Sequence, residues 1–425
     1  MPTVQTSNES TNGMGNVKGR LGLAAILGSL VAIGPLSVDM YLPSLPILAK
    51  DLGAGTSLAQ LSLTACLLGI AIGQLLAGSL SDRMGRRQPL LSSLIIYVLA
   101  TILCAESTSI WMFIIFRFIQ GISGAAGIVI SRAIVRDLYS GTELTRMYAT
   151  LMLVTGAAPI LAPVAGGFIL KLTSWRGVFM VLSMLGLLMF AGVWFRVSET
   201  LAAKDRLAGG AKAVLNTYKE LLVNRNFMGF ILTQAIAYSA LFAYISGSPF
   251  ILQEIYGASP QLFSMFFAMN GLGLILFSQI TGRLVRKIPE RGLLTVGLVL
   301  AVIGGVALLS VILAGIGLIG VLAALFVVVA SFGVISVTCT SLAMQDQKKS
   351  AGSASALLGL IQFSTGAVVA PLVGISGSHT AVPMGMIIAI STTGALLNYL
   401  FFILMRKGPS PNLNASRSVE QQQAR

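Results

Sequence analysis

Twelve stretches of roughly 20 apolar residues run through this 425-residue sequence, each long enough to cross a hydrocarbon core of about 30 Å. They are predicted at 21–43, 58–80, 89–105, 110–131, 147–170, 176–195, 228–247, 262–282, 293–314, 318–343, 354–376 and 382–405. Within a bilayer, backbone N–H and C=O groups find no water, so such stretches must be helices that satisfy their own hydrogen bonds. An ordinary soluble domain is excluded: 10% of the residues are charged and 55% hydrophobic, where soluble proteins carry about 25% charged residues. Gly, Ser and Thr inside the spans suit helices that pack closely in lipid, and Gly69 with Gly73 form one small-residue pair.

The chain carries 28 Lys and Arg against 14 Asp and Glu. With twelve crossings, one set of connections receives nearly all the cations. The other receives only Lys50, Lys171 and Arg176, while Arg117 lies inside a span. That bias places both termini in the cytoplasm and makes the positive charge a topology signal, not a nucleic-acid patch. Residues 1–20 lack the basic start and short apolar region of a cleaved signal and are expected to be disordered, as is the tail from 406. The polar stretch 197–227 divides the spans into two sets of six, expected as bundles at 21–196 and 228–405. Gly78-Ser-Leu-Ser-Asp82-Arg83 and Gly282-Arg-Leu-Val-Arg286-Lys287 match six spans apart, as do Ala162-Pro163-Val-Ala-Gly166 and Ala370-Pro371-Leu-Val-Gly374. Two matches at nearly one offset suggest parallel halves with a site between them near mid-membrane.

Catalytic classes find little support. Cys66, Cys104 and Cys339 lie singly in apolar runs and read as small core residues. The one histidine, His379, is expected in an outer turn, and no Cys, His or carboxylate cluster suggests a metal. No cofactor is expected, and the chain is read as a non-enzyme, a monomer in the cell membrane whose partners are lipid, protons and a small molecule.

An ionisable side chain inside lipid is a functional candidate by default. Two stand out. Asp39 lies about seventeen residues into the first span and Arg117 about seven residues into the fourth, so at ~1.5 Å per residue they reach similar depth. They are expected to pair or to share a water-filled cavity. Asp39 reads either as a proton-carrying carboxylate or as a cap on a helix broken before Pro43 and Pro46. Arg117 stays charged, so it either tunes a neighbour or serves as a post that satisfies exposed carbonyls. Glu106 and Glu254 are expected to be solvated charges in outer connections. Gln234, Tyr238 and Phe242 share one helix face at spacing four, and Tyr41, Asn270 and Gln362 are further candidates to face a substrate.

The segment from Gly78 through Asp82, Arg83, Gly85, Arg86 and Arg87 resembles the signature loop between helices 2 and 3 of the major facilitator superfamily. In that family the loop implies a charge-relay hinge that locks the outward-facing state. The counterpart in the second half departs from the signature, with Arg286 in place of Asp82. Arg117-Phe-Ile-Gln120-Gly121 is similar to a helix-4 motif whose arginine is associated with proton transfer. The run Gly156, Pro159, Pro163, Gly166 and Gly167 resembles the helix-5 motif of antiporters. Asp39-Met-Tyr-Leu-Pro43 and Trp175-Arg176-Gly-Val-Phe179 resemble the Bcr/CflA drug-resistance branch. The resemblance implies an all-α major facilitator fold and a proton-coupled exporter of small organic compounds. A proton-coupled importer and a non-transporting receptor or scaffold are the alternatives.

Overall fold

The computed structural model describes residues 10–203, 206, 219–345, 351–375, 377 and 379–401. Residues 204–205 and 207–218 of the expected linker and all of the expected tail lie outside the described residues. Helix α1 spans Ser10–Asp39 and is followed by a 3-10 turn at Leu42–Ser44 and a short α2 at Leu45–Asp51. Next come α3 (Thr56–Met84), α4 (Arg87–Ala105), α5 (Ile110–Leu138), α6 (Gly141–Leu172) and α7 (Trp175–Arg196). The second half contributes α8 (Arg225–Phe250), α9 (Pro260–Leu284), α10 (Glu290–Ala314), α11 (Leu318–Met344), α12 (Ala351–Val373) and α13 (Val382–Tyr399).

Among the described residues, 11 helices are long and apolar enough to cross a membrane. The remaining predicted span, 354–376, corresponds to α12, whose apolar stretch is Leu357–Val373. Local chemistry sets several starts: the side chains of Ser109, Asn224 and Ser259 accept the backbone N–H of Met112, Phe227 and Leu262 at 3.3, 3.1 and 3.2 Å. Leu153, Phe168, Ile319 and Ile390 are exposed, as apolar side chains of membrane-spanning helices can be where the solvent is lipid. Two expectations at the start of the chain are corrected. Helix α1 begins at Ser10, inside the segment expected to be disordered, because each further residue of an existing helix gains a hydrogen bond. It also ends at Asp39 instead of running to Pro43. Pro43 and Pro46 lack the N–H groups that would bond the carbonyls of Asp39 and Leu42, so the ladder stops there.

Each half repeats one pairing scheme. In the first, α3 packs on α5, α4 on α5 and α7, and α1 on α5 and α6. In the second, α9 packs on α11, α10 on α11 and α13, and α8 on α11 and α12. The seam obeys the same exchange: α3 meets α12 and α6 meets α9. These are two pseudo-symmetric six-helix bundles. Small residues set the close contacts in both. A carbon added to Gly121 of α5 would overlap the Cys66 carbonyl of α3, and one added to Gly333 of α11 would overlap the Leu274 carbonyl of α9.

Hydrogen bonds between the halves gather at the end opposite the basic connections. There Ser57, Gln60 and Thr64 of α3 donate to the carbonyls of Pro371, Ser246 and Ala367 at 3.3, 3.0 and 3.0 Å. Gln253 donates to Pro43 O at 3.2 Å, Gln261 of α9 to Gly167 O at 3.0 Å, and Lys50 pairs with Glu254 at 3.2 Å.

Gly121→Val should force α3 and α5 apart and cost about 1–3 kcal/mol, as overpacking does. Gly78→Ala meets only the Val129 side chain, at 3.7 Å, and should stay within about 0.5 kcal/mol of wild type. Unfolding midpoints of the purified variants in detergent check the contrast.

Candidate transport site

The broken end of α1 organises the first half of the site. Asp39 and Ser37 are two residues apart, about 200° around the helix, so they face opposite ways. On the Ser37 side, Arg117 Nη2 donates to the Ser37 carbonyl at 2.9 Å, one of the four acceptors a helix leaves open at its C-terminus. Arg117 is fully buried. Its Nη1 donates to Gln120 Oε1, and Gln120 Nε2 donates to Thr101 Oγ1 at 2.8 Å. The guanidinium stacks 4.3 Å from the centre of the Tyr41 ring and 5.7 Å from that of Phe179. The cation is therefore held by a helix end, an amide and aromatic faces.

Of the two expected arrangements, a pair or a shared cavity, the Asp39–Arg117 ion pair is not formed among the described residues, because the two residues bear on opposite sides of α1. Asp39 is 6% exposed and makes no hydrogen bond or ion pair among the described residues. It lies close enough to act electrostatically on Cys66 of α3 and on Tyr244 of α8, in the other half. The carboxyl thus stands at the seam and away from lipid. Across it, the Tyr244 hydroxyl accepts from Asn270 Nδ2 at 3.0 Å, and Asn270 Oδ1 is buried without a partner among the described residues.

The helix-5 motif explains how the neighbours come so close. A carbon on Gly166 would overlap the carbonyl of Met40, the residue after Asp39. One on Gly167 would lie 2.5 Å from Ser264 Oγ of α9. Consecutive glycines of α6 therefore touch the end of α1 and the facing half. A carbon added at Gly156 would make only an ordinary contact with Ile275, and Pro159 and Pro163 lie within α6.

Of the six residues expected to face a substrate, four come together. Gln234 donates to Thr340 Oγ1 at 3.3 Å, and the Tyr238 hydroxyl is grouped with Gln234, Ser336 and Gln362. Tyr238 contacts Phe242 and Phe332, and Phe242 contacts Phe363, with ring centres 6.0–6.3 Å apart. Asn270 stands apart, bonded to Tyr244. Tyr41 corrects its expectation: it is fully buried in the first bundle between Phe113, Phe179 and Arg117, its hydroxyl bonded to Ser62 at 3.2 Å. The turn after Asp39 rotates its ring back into the bundle, where it supports the arginine.

The loop between α3 and α4 is an ion network at the basic end. Arg86, 3% exposed, donates to Asp82 at 2.5 Å, to Asp137 of α5 at 2.9 Å and to Ser81 at 2.9 Å. Glu199, just beyond α7, accepts the backbone N–H groups of Arg86 at 2.8 Å, Arg87 at 3.2 Å, and Thr200 and Leu201 at 3.0 Å. Gly85, at φ +94°, is required twice, since a side-chain carbon there would also strike the Glu199 carboxylate. Arg83 is exposed and Arg87 lies over Trp194. In the second half Glu290, opening α10, accepts from Ser341 and Gln345 at 2.8 and 2.7 Å at the end of α11. The position of the Arg86–Asp137 contact is kept, but its polarity is reversed and one partner is uncharged.

Sequence reasoning missed Asp137, Glu199 and the cross-half donors. Ser57, Gln60 and Thr64 fall at i, i+3 and i+7, a polar stripe on one helix face that gave a usable signal. Glu254, expected to be solvated, instead closes the seam with Lys50. The Trp175-Arg176 motif also has a partner nobody could read from spacing: Asp51 Oδ2 accepts Trp175 Nε1 at 2.8 Å and Arg176 Nη1 at 2.5 Å.

The sequence matches the family described as Major Facilitator Superfamily over residues 27–371. The chain belongs to the major facilitator superfamily. It is 43% identical to the uncharacterized MFS-type transporter YdgK of Bacillus subtilis, covering 93% of this chain and 98% of that protein. It is 32% identical to a bicyclomycin resistance protein homolog of Haemophilus influenzae, over 88% of this chain and 94% of the relative. A chloramphenicol resistance protein of Pseudomonas aeruginosa is 31% identical over 69% of this chain and 70% of the relative. These relatives accord with the drug-resistance branch that the motifs resemble. A D-xylose–proton symporter shares the fold with a TM-score of 0.68 at 18% identity, covering 91% of this chain and 98% of that one. A bacterial homolog of the human lysosomal transporter Spinster, inward-facing and unoccupied, does so with a TM-score of 0.71 at 15% identity, covering 96% and 100%. The chain is a multi-pass membrane transport protein of this family, not an enzyme.

Two predictions follow from the loop and the glycine contact. Burial would raise the Glu199 carboxyl, but the backbone N–H groups of Arg86, Leu201, Arg87 and Thr200 hold it below the ordinary glutamate value of 4.5. Wild type should therefore be more stable than Glu199→Gln at neutral pH, with a melting temperature about 2–4 °C higher. The advantage should be constant above pH 4.5 and shrink as pH falls through the lowered value, read from melting temperatures across pH. Gly166→Ala should displace the end of α1 and cut transport at least as strongly as it lowers stability, whereas Gly156→Ala should leave both near wild type.

Proposed function

We propose that this transporter exports small organic compounds, drugs among them, in exchange for protons, by alternating access to one site between its halves. The observation that carries the reading is Asp39: a carboxyl without a fixed partner among the described residues, at the seam, facing Tyr244 of the other half. Such a group exchanges its proton as water reaches it from one side and then the other. A proton moving down a 100 mV potential carries about 2.3 kcal/mol, enough for an about 40-fold gradient of cargo. Arg117 acts as a positioning residue, since its permanent charge cannot carry the proton but fixes the end of α1.

The bias of Lys and Arg supports a cytoplasmic basic end. The seam is bonded at the opposite end, which suits a carrier awaiting cargo from the cytoplasm. Gln234, Tyr238, Phe242 and Gln362 would receive it on a largely aromatic surface with few polar anchors, compatible with broad specificity. The relatives named for bicyclomycin and chloramphenicol resistance make these two compounds the first to try.

In inside-out vesicles, a pH gradient should drive compound uptake by wild type. Asp39→Asn should lose gradient-driven accumulation by tenfold or more, on the order of the driving force removed, while still exchanging labelled for unlabelled compound. Uptake by Asp39→Asn with the wild-type gradient dependence would remove that carboxyl from the mechanism.

A further inference from the structure

We infer that the groove between α4, α7 and the segment after α7, at the basic end, is a binding site for the phosphate headgroup of an anionic phospholipid. The groove encloses about 540 Å³ and is lined by Arg87, Leu91, Ile95, Trp194, Glu199 and Arg206, among others. Its shape is that of an amphiphile. Arg87, Leu91 and Ile95 recur every four residues, so one stripe of α4 carries a cation at the helix start and apolar side chains above it. Ile95 is 49% exposed and Trp194 52% exposed, on the surface that meets lipid. A tryptophan at the end of a spanning helix suits the headgroup level of a bilayer.

The cations have capacity to spare. A guanidinium offers five N–H donors. Among the described residues, Arg87 uses one side-chain donor, Nη2 to the Trp194 carbonyl at 2.9 Å, and otherwise lies over the indole at 5.3 Å. Arg206 Nη2 stands 4.0 Å from Glu199 Oε2, beyond hydrogen-bond range. Among the described residues, the Nε atoms of both arginines are buried without a partner. Glu199 is the opposing charge, and its oxygens already accept four backbone N–H groups, so two arginines face one carboxylate that is largely occupied. A phosphodiester accepts several such donors at once, and the apolar stripe above gives its acyl chains a path that a free phosphate would leave empty.

Native mass spectrometry of the full chain released from detergent tests this. Phosphatidylglycerol should remain bound where phosphatidylcholine is lost. Arg206→Gln should weaken its retention about fivefold, and Arg87→Gln with Arg206→Gln about 25-fold, at about fivefold per basic residue. Arg206→Lys should retain most of the binding. Ser92→Phe, which fills the groove and leaves both arginines in place, should also displace the lipid, a control should the double variant fail to fold. Equal retention of the two lipids, or phosphatidylglycerol binding unchanged in both the Arg206→Gln and Ser92→Phe variants, would overturn the assignment. So would displacement of the lipid by glycerol 3-phosphate at equal concentration, which would make the groove a site for soluble phosphate.

Discussion

In a hydrocarbon setting no backbone carbonyl can be left without a donor, and the end of α1 is where this chain meets that constraint. Two prolines stop the helix and expose its last acceptors. Arg117 answers for one of them from α5, and the glycine pair of α6 lets a third helix close over the turn. Ser37 and Asp39 consequently point in opposite directions, one to the arginine and one to the seam. Without the break, Asp39 would sit along a continuous helix. With it, the carboxyl terminates the helix and faces the other half of the molecule.

This geometry gives the two buried charges different work. The hydrogen-bond and ring partners of the arginine all belong to one bundle, which it helps to hold together. The carboxyl has no such enclosure among the described residues, and it acts electrostatically on Tyr244 in the second half, a group that would shift relative to it under the proposed alternating access. Nearby, Gly167 and Gln261 place α6 and α9 in direct contact, so the same stretch of α6 feels both the end of α1 and the facing bundle. A change at Asp39 is thereby mechanically close to the seam it would need to influence.

Most of the fold was legible because lipid leaves few choices: a run of apolar residues of the right length must be a helix, and helix boundaries fell close to the predicted ones. Asp39 and Arg117 were legible because buried charge is expensive. Their separation was not, since depth along two helices says nothing of rotation about them. Tyr41 misled for the same reason, the turn at Met40 having reset its direction. The cross-half bonds of Gln60 and Thr64 and the Lys50–Glu254 pair depend on which helices meet across the seam, information carried by three-dimensional packing and only hinted at by a polar stripe. Glu199 escaped notice because its partners are backbone N–H groups, which leave no mark in side-chain spacing.

The most direct measurement is proton release on cargo binding. Purified protein in weakly buffered detergent, holding a pH indicator, is mixed with a candidate compound at a series of pH values. The account predicts that wild type releases protons in proportion to compound bound and that Asp39→Asn binds the compound without release. Release of equal size from both proteins, or binding to wild type with none, would contradict it.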